Sequence, residues 1–371
     1  MFSDYTRRDL LRSGLAAGIV TLAWPKILQA KNGSGGLYWS AFANADNSYG
    51  MAVFDLQGDF IFEKTLPDRG HGAAISNIYG HLAITERRPG WFGQIWDISA
   101  DRLIAELKLP KGRHFYGHAS YLGNRLFTTE NSYDEERGVI GVWDASNGYK
   151  RIAEFDAGGI GPHEMRILEN GREMVIASGG ILTHPADGRS KLNIPDMTPK
   201  LAWLDCKSGK VLREWAPETK WHKASIRHLT VNAQGDVFFG MQYQGSRRER
   251  APLVGIARRE GDAMISELPI DVHKSTQNYC GSVELDSSAT IMAASTPRGN
   301  KVIFFDARDS SYLDHVDITD ACGVIAAMNR PEQFLISSGN GGLYLHNVHH
   351  RETVLITQTN KRWDNHMMYI G

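Results

Sequence analysis

The sequence predicts an all-β, seven-bladed β-propeller, and three observations carry the prediction. A histidine or cysteine recurs at the head of a strand-like segment at residues 71, 118, 163, 228, 280, 322 and 366, in steps of 47, 45, 65, 52, 42 and 44. Repeats of this length with strand patterning belong to propeller blades. A second marker keeps the same phase, because the third strand of each repeat tends to end on aspartate: Asp55, Asp97, Asp144, Asp205 and Asp306. An aspartate there can cap the following turn with its carboxylate. The third observation is composition: 38 glycines among 371 residues, with short strand patterns separated by turn clusters.

The elements follow in order. In the second repeat the expected strands are 71–76, 82–86, 93–98 and 102–109, with turns at 78–80 and 99–101. The first blade is predicted to be split. Residues 37–42, 51–55 and 60–66 supply three strands, and 366–370 returns from the C-terminus as the innermost one. Such closure hides sheet edges. Connections between strands one and two, and three and four, are short. Those between strands two and three are longer: 87–92, 131–137, 180–199 and 243–251. They fall on the face where each first strand begins, and 183–199 is long enough to cover a channel mouth as a lid. Long loops on a rigid scaffold are where function concentrates.

The chain carries a formal net charge of -1 and a pI near 6.9. That balance excludes nucleic acid as a default partner, which would need a basic footprint. Residues 1–30 read as an export signal: Arg7-Arg8, an apolar run from Gly14 to Trp24, then a cleavage region near Ala30. The paired arginines match the twin-arginine type, so a periplasmic location is expected. The run is short for a transmembrane span, and membrane contact is expected only through this segment if it stays uncleaved. Residues 31–371 form the single propeller domain.

If every repeat residue heads an innermost strand, His71, His118, His163, His228, Cys280, Cys322 and His366 face one axis. Imidazole and thiolate are ligands for copper, zinc and iron rather than calcium or magnesium. A mixed set in an exported protein favours copper over zinc or iron. Glu86, Glu130, Glu164, Arg227 and Asp364 are placed to support the ring from outside, since carboxylates beside a ligand imidazole fix its tautomer. The bland alternatives are a wet channel of hydrogen-bonded histidines, and cysteines that are small buried hydrophobes or a disulfide between neighbouring blades. His81, His315 and His346 fall out of phase. His114 and His222 lead into first strands, and Trp96, Trp143 and Trp203 suit interblade packing.

The twin-arginine start, Gly117-His118-Ala119-Ser120, Gly161-Pro162-His163-Glu164-Met165-Arg166 and Trp363-Asp364-Asn365-His366 together resemble an exported bacterial family catalogued as domain of unknown function 1513. Its members are commonly encoded beside imelysin-like lipoproteins and a di-haem-type oxidoreductase. The resemblance therefore implies periplasmic protein partners, imelysin-like or haem-bearing, and a part in handling iron or another transition metal. Three functions stay open at this stage: a metal-binding propeller in metal handling or redox chemistry, a metal-dependent enzyme such as an oxidoreductase with an open site under 183–199, and a metal-free interaction platform.

Overall fold

The computed structural model describes residues 36–371; the export signal expected at residues 1–30 lies outside the described residues. Within them the chain forms seven four-stranded antiparallel sheets arranged as blades I to VII. In blade I, Leu37–Ala43 pairs with Tyr49–Asp55, which pairs with Phe60–Leu66, and Arg362–Tyr369 lies against Leu37–Ala43 as the innermost strand. The other innermost strands are Gly70–Ile75, Arg113–Leu122, Pro162–Ile167, Ala224–Val231, Ser282–Leu285 and Ala321–Ala326 in blades II to VII. Blade II comprises Gly70–Ile75, His81–Glu86, Gly93–Asp97 and Arg102–Glu106, so the last of its strands is three residues shorter than the sequence suggests.

The strands form here because their apolar residues alternate or run continuously over five to seven positions, as strands buried on both faces require. Each pair of neighbouring blades encloses one apolar cluster, seven in all, which closes the ring. Trp143 packs between blades II and III and Trp203 between IV and V, while Trp96 lies partly buried between I and II.

The aspartate marker acts as its chemistry demands. Asp55 accepts from the backbone N–H of Gln57 and Asp59, Asp97 from Ser99 and Ala100, Asp144 from Ser146, Asp205 from Ser208 and Asp306 from Arg308, at 2.7–3.1 Å. One element lacks a counterpart in the sequence reading. A short helix, Ile270–Ser275, joins blades V and VI, and His273 donates from Nε2 to the Ala251 carbonyl at 2.8 Å.

Candidate metal centre

The innermost strands do not run smoothly past the axis. Pairing with the second strand shifts register between Gly70 and Gly72, Phe115 and Ala119, Pro162 and Glu164, Ile226 and His228, and Ala321 and Val324. The closing strand of blade I shifts as well, between the partners Trp363 and Met367. A bulge bends its strand and re-aims a side chain. His71, His118, His163 and His366 sit in these bulges, and His228 directly follows one.

The five imidazoles gather into one cluster. His366 lies at its middle, with ring centroids 4.5 Å from both His71 and His118 and 4.9 Å from His228. His163 closes the far side, 4.9 Å from His228 and 5.3 Å from His118. Such density needs backbone without side chains beside it. A Cβ on Gly117, whose φ is +115°, would lie 2.7 Å from the His71 ring, and one on Gly72 would lie 2.7 Å from His118 Nδ1.

All five rings are at most 8% exposed, and each keeps a buried ring nitrogen with no hydrogen-bond partner among the described residues: Nε2 of His71, His118 and His366, Nδ1 of His163, and both nitrogens of His228. Burial, reinforced by the neighbouring rings, holds His118, His163, His228 and His366 well below the ordinary imidazole pKa. His71 is also lowered by burial, though Asp364 opposes the shift. Neutral imidazoles with free lone pairs are the form that binds metal.

Two sets of donor atoms lie within 4.8 Å of one another: His71, His118 and His366, and Glu164, His228 and His366. These groups could hold a metal ion. Asp364 stands outside the first set. Its Oδ1 accepts from His71 Nδ1 at 2.8 Å and its Oδ2 from Arg69 Nε at 2.6 Å. This fixes the proton on Nδ1 and turns Nε2 toward the cluster. Burial works against the Asp364 charge, but Arg69 and His71 together hold the carboxyl well below its usual range.

Glu164 differs from the expected supporting role. Its Oε2 accepts from the backbone N–H of Leu229 at 3.3 Å and lies 3.5 Å from His228 Nδ1, while Arg166 reaches its Oε1 at 2.9 Å. It is therefore a candidate ligand itself. Its position directly after His163 is the sequence signal, because a bulge lets successive residues serve adjoining parts of one hub.

The two cysteines do not join the rings. The first strand of blade VI begins at Ser282 and pairs without a register shift, so Cys280 precedes the strand. It is fully buried in the apolar cluster between blades V and VI, with Phe238, Val254 and Met292. Burial pushes its thiol up to about 12, so it is no thiolate at neutral pH. Cys322 sits in a bulge but borders a different cavity, beside Asp320 and Arg69, and burial raises its thiol pKa too. Both are free thiols, which removes the disulfide alternative.

Two of the supporting acids also fall elsewhere. Glu86 accepts from the backbone N–H groups of Trp91 and Phe92 at 2.6 and 3.0 Å and so caps its own loop. Glu130 is fully buried in blade III, paired in a fork with Arg151 at 2.8 Å through both oxygens. Neither is bonded to a hub imidazole. Among the remaining histidines, His114 stacks near Tyr116 and Tyr133 and is lowered to about 4 by burial, while His222 bonds the Thr219 carbonyl. His81, His315 and His346 bond Tyr149, Tyr312 and Thr353 away from the axis.

Above the hub the channel widens into a cavity of about 350 Å³ whose floor includes His71, His163 and His228. Arg227, only 3% exposed, lies beside it with an unpartnered Nε. The 180–199 loop supplies Arg189 and Lys191 to the cavity wall. The arginines of this cavity, apart from Arg227, escaped the sequence reading because they come from separate loops that share no spacing.

The propeller fold recurs in solved structures of low sequence identity. Hydrazine synthase of Kuenenia stuttgartiensis is similar at a TM-score of 0.60 and 12% identity, over 85% of this chain and 94% of that one. BamB from Moraxella catarrhalis aligns at 0.54 and 13%, over 89% and 84%. The Cps50 (Swd1) β-propeller domain of Myceliophteria thermophila aligns at 0.55 and 10%, over 80% and 92%. At such identities these likenesses concern the fold alone. No curated protein sequence matches. The family described as protein of unknown function (DUF1513) matches residues 64–370, and this chain belongs to it.

Proposed function

We propose that the protein is a periplasmic metal-binding propeller whose central histidines hold a first-row transition metal ion for metal handling or redox chemistry. The observation that carries this reading is the set of buried, unpartnered ring nitrogens converging at the axis. A buried polar atom without a partner costs about 1–3 kcal/mol. Five rings in contact multiply that cost unless a ligand satisfies them.

His71, His118 and His366 would hold the ion, with Glu164 and His228 offering a second position that shares His366. A bound ion of this class supplies Lewis-acid or electron-transfer chemistry. The chain's own residues do the rest. Asp364 orients His71, and the interblade clusters hold the hub rigid. The cavity gives access from one face. With both thiols outside the cluster, the donor set is imidazole and carboxylate, which suits iron, zinc and copper. The preference for copper that rested on thiolate therefore loses its basis.

Elemental analysis of the full chain, exported with its native signal, tests the reading. Near-stoichiometric transition metal is expected, with most of it lost in a His71→Ala, His366→Ala variant that still folds. Equal trace metal in both proteins refutes the centre and leaves a metal-free interaction platform.

A further inference from the structure

The cavity above the histidines is cationic to a degree that packing does not explain. Its walls carry Arg87, Arg88, Arg189, Arg227, Arg247 and Arg298, and Lys191 stands among them. No aspartate or glutamate among the described residues lines it. None of these seven cations has an acidic partner within salt-bridge distance among the described residues. Elsewhere the same protein pairs its arginines readily, as at Arg69, Arg113, Arg137, Arg151 and Arg258.

The cations come from four blades. Arg87 and Arg88 follow the second strand of blade II, and Arg189 and Lys191 lie in the long loop of blade IV. Arg227 stands in the first strand of blade V and Arg247 in its outer loop. Arg298 belongs to the short 3-10 turn of blade VI. Local helix or strand formation accounts for none of this convergence. Burial and the neighbouring Arg88 lower Arg227 to about 9, and burial with Arg69 lowers Arg87 to about 10. Both stay charged at neutral pH and repel each other, and Asp364 offsets only part of that repulsion at Arg87.

Recognition groups for oxygen anions accompany the charges. Tyr116 is 1% exposed and its hydroxyl has no partner, as does Arg227 Nε. Arg88 lies over the Tyr116 ring at 5.3 Å and Arg298 over Tyr279 at 4.1 Å, which holds each guanidinium plane against an aromatic face. Planar guanidinium groups bind carboxylate and phosphate through paired N–H donors. A concave site of one sign also concentrates counter-ions from solution.

We infer that this cavity binds a compact multivalent oxyanion, one small molecule bearing three or more carboxylate or phosphate oxygens, directly above the histidine hub. Its volume of about 350 Å³ suits a molecule of that size. The inference rests on the cations and not on the metal centre, so either can fail alone.

Isothermal titration of the full chain, stripped of metal over a chelating resin, with citrate, pyrophosphate and chloride tests it. Binding of citrate or pyrophosphate, with chloride inert, is expected, and whichever binds tighter identifies the carboxylate or the phosphate source. An Arg247→Glu, Arg298→Glu variant changes two exposed positions, and circular dichroism confirms that it folds. It should bind at least about tenfold more weakly, while Lys150→Glu on the opposite face leaves affinity unchanged. Absence of binding by both polyanions overturns the inference, and so does equal affinity in the Arg247→Glu, Arg298→Glu variant. Retained metal with lost anion binding in that variant would separate this site from the hub.

Discussion

Blade III buries two polar assemblies a few residues apart, and they are built in opposite ways. Around Glu130 every partner is present. Arg151 takes both of its oxygens at 2.8 Å, Thr128 donates to it at 2.6 Å, and Trp143 donates to Thr128 at 2.8 Å. Glu154 then gathers Arg151, Arg113 and Arg137 at 2.6–3.0 Å. Around His118 the ring nitrogen Nε2 has no partner among the described residues, and the neighbouring His71 and His366 each carry an unpartnered Nε2 as well. The first assembly is complete without any outside group and reads as structure. The second is incomplete in the same fold and under the same rule of satisfaction, which is why it reads as a binding centre.

The contrast is sharpest under Glu130→Gln. Arg151 keeps Glu154 but loses the charged half of its buried fork, which should destabilise the fold by about 1–3 kcal/mol, seen as a lower urea midpoint, with metal content per folded molecule unchanged. Loss of metal in that variant would merge the two assemblies into one. Next in size is Asp364→Asn. Removing the carboxylate that orients His71 should weaken metal binding by about 10–100-fold, read by competition with a chromophoric chelator, while circular dichroism stays that of the parent.

Acid provides a third separation. The hub histidines have folded pKa values below 6.5, so below that pH the unfolded chain binds protons that the folded hub refuses. In metal-free protein their contribution is complete above pH 6.5 and is lost as the pH falls beneath it, by up to about 1.4 kcal/mol per pH unit for each histidine. Urea midpoints across pH 7.5 to 5 should trace this fall. The slope should shrink in a hub variant and persist in Glu130→Gln. The smallest effect has the opposite sign. His118→Leu replaces an unsatisfied ring by an apolar side chain of similar size, and metal-free protein should gain about 1 kcal/mol while metal affinity falls. A loss of stability in the metal-free state would mean that His118 already has its partner.

The fold was legible because two residue types mark the same phase of the repeat, one at the axis and one at an outer turn. The five histidines were legible for the same reason. Cys280 was not, because a repeat position fixes spacing and not orientation. Without a bulge in blade VI, the residue before the strand turns into the interblade core. Glu86 and Glu130 ended the right strands, yet nothing in their neighbours indicated that a loop and an arginine would claim them. The arginines of the upper cavity have no period at all, and only three-dimensional convergence exposes them.

The strand that completes blade I also delivers His366 and Asp364, and Asp364 meets His71 across 293 positions of chain. An ion shared by His71, His118 and His366 would therefore rivet the closing strand of blade I to blades II and III. During synthesis such a rivet cannot set before the strand Arg362–Tyr369 emerges from the ribosome. Occupancy of the centre would thus certify a finished ring, and a truncated or half-closed chain would be recognisable by its inability to keep its cargo.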